Sequence, residues 1–84
     1  MNLHEIKFLQ DLGFRIRERR VARGYTQEQL AQKCELHRTF IGSVERGERN
    51  VSILNLRLIA QILHVPLDEL FALAATARRS KKPS

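Results

Sequence analysis

Between Arg38 and Arg46 the chain places two guanidinium groups, two hydroxyls and a glycine at intervals that gather them on one side of a helix. At about 100° per residue, Arg38, Thr39, Gly42, Ser43 and Arg46 share one arc, all small or hydrogen-bonding. His37, Phe40, Ile41 and Val44 share the opposite arc and are mostly apolar. A helix pinned by one face while offering such groups on the other suits the major groove of DNA, where base edges present donors, acceptors and methyl groups. Arg38 heads that face, and a guanidinium there can donate two parallel hydrogen bonds to guanine O6 and N7. Its alternatives are a phosphate clamp or a solvated side chain. Thr39 offers a hydroxyl and a methyl, suited to a thymine methyl or a phosphate, and Ser43 has a similar dual prospect. Arg38, Thr39 and Ser43 are therefore the candidate base contacts.

A second group of side chains is suited to the DNA backbone. Gln27 stands at the first turn of a preceding helix, where unpaired N–H groups and the positive dipole end attract a phosphate. Arg46, Arg49 and Asn50 belong to the loop leaving the third helix, and donors there fix register without reading sequence. For each, a solvated surface role is the alternative. Gly42, in the middle of the polar face, costs roughly 1 kcal/mol relative to Ala. Close approach to a groove wall would offset that cost, and simple tolerance is the competing explanation. Glu45 is the exception, a carboxylate at the boundary between the faces.

Positioning these groups requires a helical scaffold, and the sequence predicts five helices with no strand. The first runs from about Leu3 or Glu5 to Ala22, with Leu9, Leu12, Ile16 and Arg20 on one stripe and Gly24 as its stop. Thr26 and Gln29 form a capping box for the second, with Tyr25 and Leu30 placed as a hydrophobic staple. The third covers about Arg38 to Arg46 and stops at Gly47. Ser52 caps the fourth, which runs to about Leu63. Pro66 opens the fifth, which fades after about Ala77. Residues 1–77 thus read as one DNA-binding and dimerisation domain, and residues 78–84 as a disordered basic tail.

These elements resemble the phage-repressor-like, or XRE-type, helix-turn-helix family over about Leu12 to Leu70. The resemblance rests on Arg20, Gly24-x-Thr26-Gln27-x-x-Leu30-Ala31, Ile41-x-x-Val44-Glu45-x-Gly47 and Leu63-x-Val65. Within that family, Arg38-Thr39-Phe40-Ile41 and Glu45-Arg46-Gly47-x-Arg49-Asn50-Val51-Ser52 look most like controller proteins of restriction–modification systems. The resemblance implies a compact all-α domain in which Arg20 and Glu45 form a partly buried structural ion pair. It also implies that Gln27 contacts phosphate and braces the recognition helix. Two positions depart from the pattern: Glu35 and His64 stand where the family usually has glycine. If the backbone is left-handed there, each costs about 1 kcal/mol.

The fourth helix carries more apolar surface than one core needs. Ile53, Leu56, Ile59, Ala60 and Leu63 form the stripe expected to cover the recognition unit. Leu54, Leu58 and Ile62 form a second, at i, i+4 and i+8, where an isolated small domain would be polar. A homodimer interface is expected there, with packing against the fifth helix as the alternative. Two recognition helices related by a two-fold axis would then enter successive major grooves of a pseudo-palindromic operator.

Composition narrows the field without deciding it. At 84 residues, 43% hydrophobic and 29% charged, the chain is ordinary for one small globular domain. Arg78, Arg79, Lys81 and Lys82 carry four of its six net positive charges, so the body is only weakly basic and placement matters more than the total. Cys34 is the single cysteine, which excludes an internal disulfide and reads as a core thiol. His4, His37 and His64 lack metal-ligand spacing, and no phosphate loop or carboxylate pair stands out. No enzymatic role, metal, cofactor, membrane span or small-molecule effector is expected, and the cytosol is the expected location. RNA polymerase is a further candidate partner. The alternatives are a phage-type repressor or toxin–antitoxin antitoxin of the same fold, or a helical protein-interaction module without DNA binding.

Overall fold

Asn2 opens the first helix, α1 (Leu3–Ala22), by accepting the Glu5 N–H at 2.8 Å while the Glu5 carboxylate accepts the Asn2 N–H at 3.1 Å. That reciprocal cap is how the chain begins in the computed structural model, which describes residues 1–71. The helix ends at Arg23, and Gly24 takes the left-handed φ of +78° that turns the chain toward Thr26. Thr26 then caps α2 (Gln27–Cys34) with the expected box: its hydroxyl accepts the Gln29 N–H at 3.0 Å and Gln29 accepts the Thr26 N–H at 2.8 Å. Each helix starts where a side chain takes up N–H groups that the first turn leaves without partners.

The turn after α2 is left-handed without a glycine. Glu35 has φ 56° and ψ 38°, and the Leu36 N–H closes the turn on the Ala31 carbonyl at 2.8 Å. His64 repeats the device after α4 (Ile53–Leu63), with φ 59° and the Val65 N–H on the Ala60 carbonyl at 3.0 Å. Both departures from glycine are therefore strained by about 1 kcal/mol and held by the packed helices on either side. Between them lies α3 (Arg38–Glu45), followed by Gly47 at φ +75° and by Ser52, whose hydroxyl accepts the Asn55 N–H at 3.1 Å to cap α4.

The fold is all-α as expected, but the fifth element differs. Among the described residues there are four α-helices and a 3-10 helix, η1 (Leu67–Phe71), rather than five α-helices. The Glu69 N–H bonds to the Pro66 carbonyl at 3.0 Å, an i to i+3 closure that winds the segment more tightly than an α-helix. The expected continuation to Ala77, and the tail 78–84, lie outside the described residues. Leu70 inserts into the core, while Arg15 and Arg19 of α1 both pair with Glu69 and Phe8 stacks on Phe71 with ring centroids 5.8 Å apart. Arg15 and Arg19 are thus fasteners between two elements.

The core gathers Leu12 and Ile16 of α1, Leu30, Ala31 and Cys34 of α2, Ile41 and Val44 of α3, and Leu56, Ile59, Ala60 and Leu63 of α4. Burying each large aliphatic contributes about 1.5–3 kcal/mol, which is what pins α3 by its apolar side. Two expected core positions are not core. Ile53 is 60% exposed at the start of α4. His37 lies outside, because it is the residue before α3 begins and points its ring back at the helix start.

Candidate nucleic-acid interface

The outer face of α3 is built from its N-terminus upward. His37 is the N-cap, and its Nδ1 accepts the Thr39 N–H at 3.2 Å and lies 2.8 Å from Thr39 Oγ1. A backbone N–H can only donate, so Nδ1 is an acceptor and the ring carries its proton on Nε2. The Thr39 hydroxyl shares that one lone pair as a second donor, and Thr39 as a whole is exposed. Histidine is not among the favoured caps, so the sequence gives no signal for this role. Arg38 beside it is exposed and has no hydrogen-bonded or ionic partner among the described residues. It is the free cation at the start of the face.

Ser43 is half-buried and already committed, donating to the Phe40 carbonyl at 2.8 Å and accepting from Arg49 Nε at 3.4 Å. Arg49 meanwhile lies over the Phe40 ring, 5.2 Å from its centroid, which draws the loop after α3 back onto the helix. Arg46, the C-cap residue, pairs with Glu48 at 3.1 Å, both side chains 59% exposed. Such a pair contributes at most about 1 kcal/mol and does not tie Arg46 down. Asn50 is exposed at the end of the same loop.

Gly42 is buried, which departs from its expected place on a bare polar face. A Cβ there would stand 3.2 Å from the far nitrogen of Arg46 and 3.5 Å from Gln27 Oε1. The close approach that a mid-helix glycine permits is therefore by the side chains of Gln27 and Arg46, which converge on it from two helices. Gln27 also donates from Nε2 to Glu45 Oε1 at 3.0 Å. Glu45 in turn receives Arg20 Nε at 2.6 Å and Arg20 Nη2 at 3.1 Å, and Arg20 Nη1 reaches the Tyr25 carbonyl at 2.8 Å. Arg20 and Glu45 are 9% and 8% exposed, so the implied ion pair is present, buried and bidentate. Among the described residues no buried side-chain nitrogen or oxygen lacks a partner.

Two glycines hold this face against α1. A Cβ on Gly13 would stand 2.3 Å from the Val44 carbonyl oxygen and 2.6 Å from that of Glu45. At Gly47 it would stand 2.7 Å from the Gln10 Cα. The end of α3 therefore rests directly on the α1 backbone. Sequence reading missed Gly13, although it sits within the stripe of Leu9, Leu12, Ile16 and Arg20.

The expected dimer stripe divides. Leu54 is 71% exposed, whereas Leu58 and Ile62 are half-buried against the core. Cys34 is 2% exposed, and burial pushes its thiol up to about 11, so it offers no thiolate near neutral pH. No group of His, Cys, Asp and Glu suited to a metal occurs among the described residues, and no helix there is long and apolar enough to cross a membrane.

Known proteins share this fold and part of this sequence. A helix-turn-helix family model matches residues 16–70. Control protein C.SmaI of Serratia marcescens is 44% identical over 59 residues, which span 70% of this chain and 70% of that protein. Among solved structures, the restriction–modification controller protein C.AhdI from Aeromonas hydrophila is 46% identical, with a TM-score of 0.73 over 75% of this chain and 96% of that one. The C.Esp1396I controller tetramer in complex with its natural 35 base-pair operator is 38% identical, with a TM-score of 0.72 over 82% of this chain and 91% of that one.

Proposed function

The chain belongs to the helix-turn-helix family in its XRE, phage-repressor-like form, and on that premise we propose that it is a transcriptional regulator of a restriction–modification system. It binds double-stranded DNA sequence-specifically, as a homodimer on a pseudo-palindromic operator in the bacterial cytosol. The observation that carries this reading is the outer face of α3. Arg38 and Thr39 stand exposed at its N-terminus while Ile41 and Val44 anchor the opposite side in the core. Similarity to controller proteins, one of them solved on its operator, supports the biological assignment.

In this reading Arg38 donates to a guanine edge, Thr39 meets a thymine methyl or a base-edge donor, and Ser43, its proton donated to Phe40, offers its remaining lone pair to a base-edge donor one turn later. Gln27, Arg46, Arg49 and Asn50 grip the phosphates and set the register. Leu54, Leu58 and Ile62 join the two copies, with Leu54 the most exposed of the three. RNA polymerase is a natural partner for such a regulator, and control by protein concentration needs no small-molecule effector.

Iterative selection from a pool of random 30-base-pair duplexes tests the proposal. The expected result is enrichment of two inverted half-sites spaced by about one helical turn or a multiple of it. Retention of DNA without enrichment of any sequence would contradict it.

A further inference from the structure

We infer that Glu45 is a positioning residue for DNA binding: its carboxylate dictates which way round the Gln27 amide lies, so that Gln27 turns an N–H outward. This rests on the reading that Gln27 meets a phosphate, and it adds a function to a buried ion pair that packing alone would otherwise explain. Glu45 Oε1 lies 3.0 Å from Gln27 Nε2 and 3.1 Å from Arg20 Nη2, while Oε2 lies 2.6 Å from Arg20 Nε. A carboxylate only accepts. The amide must therefore face it with nitrogen, and its oxygen then lies over Gly42, 3.5 Å from where a Cβ would stand. One of the two amide hydrogens is used by Glu45. The other has no acceptor among the described residues, and Gln27 is half-buried rather than enclosed, so an acceptor outside the protein can take it.

The arrangement resolves an electrostatic oddity. A carboxylate one residue before Arg46, on the helix that faces DNA, repels phosphate. Bidentate pairing with Arg20 neutralises it, and its remaining acceptor capacity orients the donor beside it. Replacing Glu45 by Gln inverts this logic. Arg20 claims the single side-chain oxygen, so the new amide nitrogen faces Gln27. Gln27 must then flip to accept, which turns its oxygen toward the phosphate. Charge alone predicts the opposite sign, because removing an anion near DNA tightens binding.

Fluorescence anisotropy with the duplex that the wild-type protein enriches from the random pool tests this, with circular dichroism confirming that each variant is folded at the assay temperature. Glu45→Gln should bind about tenfold more weakly, as Gln27→Ala should, and the double variant no more weakly than Gln27→Ala. Gln27 is neutral, so Gln27→Ala should not change the slope of affinity against salt by a full unit. Tighter or unchanged binding by folded Glu45→Gln, with Gln27→Ala weakened, overturns the positioning role alone. Wild-type affinity in Gln27→Ala overturns the phosphate contact and the positioning role with it. Failure of the wild-type protein to enrich any duplex instead removes the regulator reading itself.

The free wild-type protein supplies a measurement that no misfolded variant can confound. By NMR, the Gln27 side-chain NH₂ should be ordered and shifted away from the exposed amides of Gln10, Gln32 and Gln61. An averaged, mobile Gln27 amide overturns the proposal.

Discussion

Gly42 shows how a single residue trades stability for contact. Alanine is favoured over glycine by about 1 kcal/mol in a helix interior, and a Cβ there meets only the flexible end of Arg46 at 3.2 Å and the Gln27 amide oxygen at 3.5 Å. Gly42→Ala should therefore raise the melting temperature by about 4–8 °C. It should also weaken DNA binding, because the Arg46 guanidinium must give way by a few tenths of an ångström while Gln27 stays in ordinary contact. Thermal denaturation together with anisotropy checks both halves, and a lowered melting temperature would show that Arg46 cannot move. Cys34 supplies a pH dependence of known sign. Its thiol ionises near 9.0 ordinarily and near 11 when buried, so the folded state holds the proton more tightly. The resulting stability is complete below about pH 9 and is lost as the pH rises toward about 11. Iodoacetamide at pH 8 should accordingly label Cys34 only in proportion to the unfolded fraction; rapid labelling of folded protein would contradict this burial.

At the scale of elements, the junction of α1 with α3 fixes the recognition helix. Gly13 allows the Val44 and Glu45 carbonyls to lie against α1, and a methyl group would stand 2.3 Å from a backbone oxygen that no rotamer change can move. Gly13→Ala should cost about 3 kcal/mol, at the upper end for overpacking, and lower the melting temperature by more than 10 °C. A loss of a degree or two in a calorimetric scan would show that the helices can separate freely. What the sequence revealed follows the same division between local and tertiary causes. The caps at Thr26 and Ser52, the stop at Gly24 and the Leu12–Ile16–Arg20 stripe depend on neighbours within a few residues, and all were legible. Arg20–Glu45 was legible only through family resemblance, since its partners are 25 positions apart. The His37 cap was not, because histidine rarely serves there. Nor was the Glu69 clasp by Arg15 and Arg19, which depends on η1 folding back across 50 residues to reach Arg19. Leu58 and Ile62, which periodicity alone places outside, are half-buried against the core.

For the whole molecule, function depends on two copies presenting two such faces at a fixed spacing. Leu54, 71% exposed, is the cleanest probe of that assembly, because Leu58 also contributes to the core. Leu54→Glu should leave the circular dichroism spectrum unchanged and yield a monomer in sedimentation velocity. Its affinity for a two-half-site duplex should fall steeply as linkage between the half-sites is lost. A dimer of wild-type affinity would put the contact elsewhere. The central claim, that the exposed start of α3 reads base edges, is tested most directly at Arg38. The measurement compares wild type and Arg38→Ala on the selected duplex and on every single-base-pair variant of one half-site. The expected result is a loss of about 1–3 kcal/mol on the selected duplex, with discrimination relaxed at one guanine-containing position and retained at the others. An equal loss on every duplex, random sequence included, would make Arg38 a phosphate contact and contradict the account.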